Sequence, residues 1–273
     1  MLRKSAREVP VRLKQLPFKH IIPNMVTLFA LASGITSIRF AAQGRWEAAV
    51  IAIFIAAVLD GLDGRVARML RGTSKFGAEL DSLCDFLSFG VAPAIILYFW
   101  TPWGGVYPGW VISILYSMSC ALRLARFNTM LEDENPPPYW GSFFVGVPAP
   151  AGAILSLTPI MLYFHLGFEF LRAPVVVGIV LIVCSGLMVS QIPTFSVKKL
   201  KIPVFLVIPL FLITTIVAGF IISQPWVTIS LLALAYSCSI PVSVIVFMKK
   251  KKKFEALEQQ VSELEQTSET VKS

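Results

Sequence analysis

From Phe86 to Leu122 the chain reads FLSFGVAPAIILYFWTPWGGVYPGWVISILYSMSCAL, without one Asp, Glu, Lys or Arg. A helix needs about 20 apolar residues to cross the hydrocarbon core of a bilayer. This stretch therefore holds two crossings, broken at Thr101-Pro-Trp-Gly-Gly. The stretch from Ile202 to Met248 is equally free of charge and breaks at Ser223-Gln-Pro-Trp. Trp and Pro at both breaks suit turns at the membrane interface. Of all 273 residues, 56% are hydrophobic and 15% charged, where a soluble domain carries about 25% charged. The expected fold is all-α: a polytopic integral membrane protein with about eight transmembrane helices. They are expected over 21–40, 46–69, 77–100, 106–126, 143–165, 173–191, 202–222 and 226–248.

An even number of crossings puts both termini on one side of the membrane. With that side cytoplasmic, most basic residues fall inside. The arm carries Arg3, Lys4, Arg7, Arg12, Lys14 and Lys19, and the first inner turn Arg65, Arg68, Arg71 and Lys75. The second has Arg123 and Arg126, the third Lys198, Lys199 and Lys201, and the run Lys249 to Lys253 follows the last helix. Only Arg39, Arg45 and Arg172 lie outside, with Lys272 in the distal tail. This is the positive-inside pattern. The net charge of +8 calls for no nucleic acid, because against anionic headgroups each basic residue contributes about 1 kcal/mol.

Three regions are expected. Residues 1–20 form a basic juxtamembrane arm whose alternating apolar residues suit the membrane surface. Residues 21–248 form the transmembrane catalytic domain. Residues 249–273 form a polar helical tail, in which Phe254, Leu257, Val261 and Leu264 recur at helical spacing. No cleavable signal peptide is expected, since the first apolar run is long enough to span. Cys84, Cys120, Cys184 and Cys238 are far apart in apolar stretches and are expected to be buried small hydrophobes rather than a disulfide or metal set.

The chemistry lies between Asp60 and Asp85: Asp60-Gly-Leu-Asp63-Gly64-Arg-Val-Ala67-Arg68, eight residues, then Gly77-Ala-Glu-Leu-Asp81-Ser-Leu-Cys-Asp85. Asp60 and Asp63 are three apart, Asp81 and Asp85 four apart, so on helices each pair shares a face. Two helices meeting at an inner turn can aim all four carboxylates into one cavity. An ionised Asp at mid-bilayer costs about 2.5–3.5 kcal/mol even on the lenient insertion scale, and four crowded acids repel one another. Divalent cations relieve both problems, and all-oxygen ligation suits Mg²⁺, Mn²⁺ or Ca²⁺ rather than zinc. Two such ions can clamp a diphosphate for in-line displacement. Gly64 lets a flat group approach the backbone, Arg68 offers a fork for phosphate, and Ala67 and Gly77 permit close helix packing.

The spacing D-x-x-D-G-x-x-A-R-x(8)-G-x-x-x-D-x-x-x-D matches every defined position of the signature of the CDP-alcohol phosphatidyltransferase family. Pro23-Asn24-Met-Val-Thr27 resembles the entry to that family's first helix. Ser88-Phe-Gly90-Val-Ala-Pro93, Arg123-Leu-Ala-Arg126-Phe127-Asn128 and Gly146-Val-Pro148-Ala-Pro150 resemble segments of its phosphatidylserine synthase branch. The likeness covers roughly residues 20–165, and the last three helices are recognisable only as apolar spans. The resemblance implies a CDP-diacylglycerol donor whose diphosphate bridges two Mg²⁺ or Mn²⁺ ions on Asp60, Asp63, Asp81 and Asp85. It places the donor on Asn24, Thr27, Gly64, Arg68, Ser74 and Gly77, makes Asp85 the general base, and implies release of CMP. It also implies a homodimer, L-serine as acceptor, and a prokaryotic inner membrane with the site facing the cytoplasm.

The residues limit the acceptor less tightly. A serine carboxylate wants a bidentate partner, which Arg123 or Arg126 can supply, with Asn128 beside them. The same arginines also serve as positive-inside anchors. Ser142, Gly146 and Pro148 are expected to shape the same pocket. Choline would favour an aromatic cage, and Tyr139 and Trp140 keep it open. Glycerol 3-phosphate would need further cations. Two other classes compete. An intramembrane prenyltransferase normally has well-separated acidic motifs and no call for the Gly64–Arg68–Gly77 set. An ion-coupled transporter would spread its acids over several helices and show paired half-repeats.

Overall fold

The computed structural model describes the backbone of residues 18–70, 72, 74–104, 108–131, 143–195 and 207–272. The arm before residue 18, Arg71, Tyr139, Trp140, Ser142 and the Lys198–Lys201 cluster fall outside the described residues. Among the described residues the fold is all-α apart from one two-stranded ribbon.

Helices α1 (Phe18–Ala42) and α2 (Trp46–Met69) form an antiparallel pair and make the most extensive helix contact among the described residues. Small side chains allow this. Ala30, Ala41, Ala49, Ala52 and Ala56 are all buried, and Ser33 Oγ donates to the Ala52 carbonyl across the pair at 2.8 Å. In a membrane such close backbone approach and interhelical hydrogen bonding replace the hydrophobic drive.

The third helical stretch runs unbroken from Lys75 to Trp100 but is not uniform. It comprises α3 (Lys75–Asp85), a π-helical turn (Phe86–Val91) and α4 (Ala92–Trp100). Helix α5 (Pro108–Leu131) packs on that turn, on α4 and on α8 (Pro174–Val189). At the α5 contact a Cβ on Gly90 would lie 2.9 Å from the Cβ of Cys120, closer than side chains tolerate. Gly90→Val is therefore expected to cost about 1–3 kcal/mol through overpacking, read as a lower midpoint of thermal inactivation in detergent. Gly64→Ala, whose Cβ would meet nothing within 4 Å, is the control.

The expected single helix over 143–165 is in fact three pieces: strand β1 (Phe143–Val145), α6 (Ala149–Ser156) and α7 (Thr158–Leu166). Proline explains the breaks. Pro150 starts α6 and Pro159 starts α7, and a proline ring has no N–H and clashes with the preceding helical turn. Strand β1 pairs antiparallel with β2 (Pro193–Phe195), with Phe143 opposite Phe195 and Val145 opposite Pro193. Helix α9 (Val207–Ser223) has no buried residue and rests chiefly on α10 (Pro225–Lys272). The tail at 249–273 is helical, as α10 continues from the last apolar span to Lys272. Cys84, Cys120 and Cys184 are buried free thiols, as expected, whereas Cys238 is exposed.

Among the described residues, five stretches are long and apolar enough to cross a membrane: Ile21–Ala42, Lys75–Trp100, Pro108–Met130, Ala149–Leu166 and Pro225–Lys252. Pro174–Val189 and Val207–Ser223 are shorter apolar helices, and α2, with 24 residues, is long enough but carries the first acids. The chain is a membrane protein. Its core is centred on Trp100, Tyr116, Phe89 and Ile53, all at most 1% exposed.

Candidate active site

The last turns of α2 carry Asp60 and Asp63, and α3 carries Asp81 and Asp85. The turn between the helices is built locally. Leu70 N–H donates to the Val66 carbonyl at 3.0 Å and Gly72 N–H to the Ala67 carbonyl at 2.8 Å, closing α2. Ser74, in extended backbone, then caps α3 by accepting from Gly77 N–H at 3.0 Å, satisfying a donor that a helix start leaves orphaned.

This geometry brings one carboxylate oxygen from each of Asp60, Asp63 and Asp81 within 4.8 Å of the others. Oxygen ligands of Mg²⁺ lie about 2.1 Å from the ion and those of Ca²⁺ at about 2.3–2.6 Å, so opposed ligands are about 4–5 Å apart. The three carboxylates are close enough together to share a hard divalent cation. Asp85 lies against Asp60, and Arg123 from α5 acts on the charges of both. Thr27 on α1 holds Asp63, its hydroxyl 2.7 Å from Asp63 Oδ2 and 3.1 Å from the Pro23 carbonyl. A hydroxyl has one proton, and the shorter contact assigns it to the carboxylate. Metal-binding carboxylates are commonly oriented by such an outer hydrogen bond.

Beside the acids lies a cavity of about 470 Å³. Asn24, Thr27, Gly64, Arg68, Ser74 and Gly77, the six residues expected to hold the donor, all line it, together with Asp63 and Asp81. A Cβ on Gly64 would meet nothing within 4 Å, so the cavity reaches its backbone. At Gly77 a Cβ would lie 3.1 Å from both Asn24 Oδ1 and Ser74 Oγ, so this wall admits no side chain without displacing them.

The three acceptor-site expectations separate. Arg123 sits half-buried beside Asp60 and Asp85, with its guanidinium 5.6 Å from the centre of the Phe127 ring. Arg126 turns the other way. Its Nη1 donates to the Val189 carbonyl at 2.7 Å, and its Nη2 to the carbonyls of Ser190 at 2.9 Å and Met188 at 3.2 Å. It caps the C-terminus of α8. Gly146 (φ +74°) packs on the same carbonyls, and Thr194 Oγ1 donates to the Gly146 carbonyl at 2.9 Å. Asn128 Nδ2 donates to Ser82 Oγ at 3.0 Å, tying α5 to α3 one residue beyond Asp81. Ser82 and Thr194 carry no sequence signal, because their partners lie 46 and 48 residues away.

The profile of the CDP-alcohol phosphatidyltransferase family matches residues 20–189, and that of CDP-alcohol phosphatidyltransferase 2 matches residues 206–241. Similarity to that group thus extends into α9 and α10, where only apolar spans were recognised from the sequence. The chain is 38% identical over 224 residues to the CDP-diacylglycerol--serine O-phosphatidyltransferase of Mycobacterium leprae, covering 82% of this chain and 74% of that protein. It is 36% identical over 202 residues to the protein of the same name from Helicobacter pylori, covering 71% and 80%. With the Bacillus subtilis protein of that name it shares 32% over 179 residues, covering 65% and 92%. On its acidic α2–α3 turn, its profile match and these relatives, the chain belongs to the CDP-alcohol phosphatidyltransferase family.

Proposed function

We propose that the protein transfers the phosphatidyl group of CDP-diacylglycerol to the hydroxyl of L-serine, giving phosphatidylserine and CMP. The observation that carries this reading is the junction of the carboxylate cluster with the cavity lined by Asn24, Gly64, Arg68 and Gly77. A diphosphate at that junction reaches the acids and a cationic fork while its nucleotide occupies the cavity. Family membership and the serine-specific names of the relatives supply the donor and acceptor.

Asp60, Asp63 and Asp81, with Asp85 beside Asp60, would hold two divalent cations, Mg²⁺ or Mn²⁺. When bound, these neutralise the diphosphate and stabilise the charge that develops in the transition state. Thr27 keeps Asp63 pointed at the site. Arg68 binds phosphate oxygens and Gly64 receives the flat nucleotide against bare backbone. Asp85 accepts the serine hydroxyl proton as that oxygen bonds to the lipid-side phosphorus. The bond from that phosphorus to the bridging oxygen breaks, and CMP departs with the electron pair. An aliphatic hydroxyl is a poor nucleophile, so the positioned base is essential. Arg123, at the Asp85 end of the cluster, takes the serine carboxylate, while Arg126 and Asn128 fix the wall behind it.

The topology belongs to the same proposal. Eight crossings, formed by α1, α2, the α3–α4 stretch, α5, the α6–α7 stretch, α8, α9 and α10, leave both termini and the site cytoplasmic, as the Lys and Arg asymmetry requires. The arm at 1–20 and the tail at 249–273 flank the catalytic domain at 21–248, in a homodimer in a prokaryotic inner membrane.

The decisive assay is CMP release by detergent-purified protein from CDP-diacylglycerol with Mn²⁺ or Mg²⁺ and L-serine, choline, glycerol 3-phosphate or no acceptor. Serine-dependent release is expected. Release with choline alone would replace the acceptor, and no release from folded protein would remove the reading. Gly77→Val fills the tight wall beside Asn24 and Ser74. It is expected to raise the KM for CDP-diacylglycerol at least about ten-fold while leaving the KM for serine within about two-fold.

A further inference from the structure

We propose that the π-helical turn Phe86–Val91, clamped by Tyr116 and Ser117 of α5, sets the orientation of Asp81 and Asp85, so that Tyr116 and Ser117 are positioning residues for the metal and base site. Their effect on turnover rests on the phosphatidyl-transfer reading. Their effect on the carboxylate cluster does not.

The turn begins at the residue after Asp85, inside an otherwise unbroken helix. A π turn fits one more residue than an α turn, which rotates everything before it relative to everything after it by about 100°, one residue's share of a 3.6-residue turn. The helix beyond is packed into the core, since Ile96, Leu97 and Trp100 of α4 are at most 1% exposed. The azimuth at which α3 offers its acids to α2 is therefore passed through this turn. With a plain α-helix between the same α4 and the same turn at Ser74, Asp81 and Asp85 would face about 100° away from Asp60 and Asp63.

A π turn is rare because its hydrogen-bond geometry gives no gain over α, and it persists where outside groups hold it. Here two side chains do so. The Tyr116 hydroxyl donates to the Phe89 carbonyl at 3.1 Å, and the Ser117 hydroxyl lies 3.1 Å from both the Gly90 carbonyl and the Ser113 carbonyl of its own helix, so that its one proton is shared between them. Tyr116 is fully buried, with Ser156 Oγ of α6 lying 3.4 Å from its hydroxyl while donating to the Ala153 carbonyl at 2.8 Å. The backbone is pinned from both flanks. Gly90 presses on Cys120 of α5, and Gly34 of α1 on Ser88. Tyr116, Cys120 and Arg123 follow one another at helical spacing on one face of α5. The face that clamps the turn thus also delivers Arg123 to Asp60 and Asp85. The segment Ser88-Phe89-Gly90 is this turn, which gives that motif a physical role.

The test uses full-length protein in detergent, with Mn²⁺ binding read by electron paramagnetic resonance and turnover by CMP release. For Tyr116→Phe/Ser117→Ala, the Mn²⁺ dissociation constant is expected to rise about five-fold and kcat to fall about ten-fold, with the KM for CDP-diacylglycerol within about two-fold. Ser117→Thr, which keeps the hydroxyl, is expected to match wild type. A dissociation constant within two-fold of wild type overturns the proposal even if kcat falls, because a lost folded fraction lowers turnover without weakening metal binding in the remainder. If the double variant does not fold, Tyr116→Phe alone carries the same test, with a shift of about two- to three-fold expected and no shift overturning it. If wild type releases no CMP yet the Mn²⁺ shift is present, the transfer reading fails and the clamp stands.

Discussion

Asp85→Asn is expected to lower serine-dependent CMP release by at least about 10³-fold, the largest effect of any single substitution proposed here. Two roles meet on this carboxylate. It lies against Asp60, where on the proposed reading it would help hold divalent cations and would take the proton of the attacking hydroxyl. Asn preserves the shape but cannot accept that proton as a base, and it removes one negative charge from the metal site. The three remaining acids still offer oxygens within 4.8 Å of one another. Mn²⁺ binding is therefore expected to weaken only modestly in Asp85→Asn and to be lost in Asp63→Ala, which removes the most buried of the four acids and the partner of Thr27. Turnover, measured as CMP release at saturating Mn²⁺, separates the two roles. If Asp85→Asn keeps a tenth of wild-type turnover at saturating metal, the base lies elsewhere.

Arg123→Ala is expected to lower kcat/KM for serine about 100-fold, mostly through KM, with the KM for CDP-diacylglycerol within about three-fold. Arg123 is the cation that acts on Asp60 and Asp85 from α5. A zwitterionic acceptor brings a carboxylate into a site already rich in carboxylates, so a fixed guanidinium is what makes that approach tolerable. Arg123→Lys keeps the charge without the planar fork and is expected to recover roughly a tenth of wild-type kcat/KM. Arg126→Ala has a different signature. Its guanidinium is engaged by three carbonyls at the end of α8, so its loss is expected to lower thermal stability more than serine affinity. Wild-type serine KM in Arg123→Ala would place the acceptor site away from α5.

Membrane spans, acids and donor-site glycines were legible because each is a local property. An apolar run of sufficient length has to cross or be buried, and acids at spacings of three and four share helix faces, of which Asp60, Asp63 and Asp81 come together. The roles of the second basic cluster were not legible. Arg123 and Arg126 differ by three residues on one helix, yet one faces the acids and the other caps α8. Only the position of α8 and of the ribbon at Gly146 and Thr194 makes that division. The expected span at 143–165 failed for a similar reason, since hydropathy does not register a strand whose partner lies 50 residues downstream.

By itself, then, the sequence determined the solvent in which this chain folds and the acidic turn on which the proposed chemistry rests, both consequences of composition and of spacing along single helices. The tertiary structure alone decided how α3 is rotated toward α2. That rotation depends on a π turn held by Tyr116 and Ser117, which lie 27 residues from the carbonyls they bind, and no periodicity in the sequence encodes an inter-helix hydrogen bond of that kind.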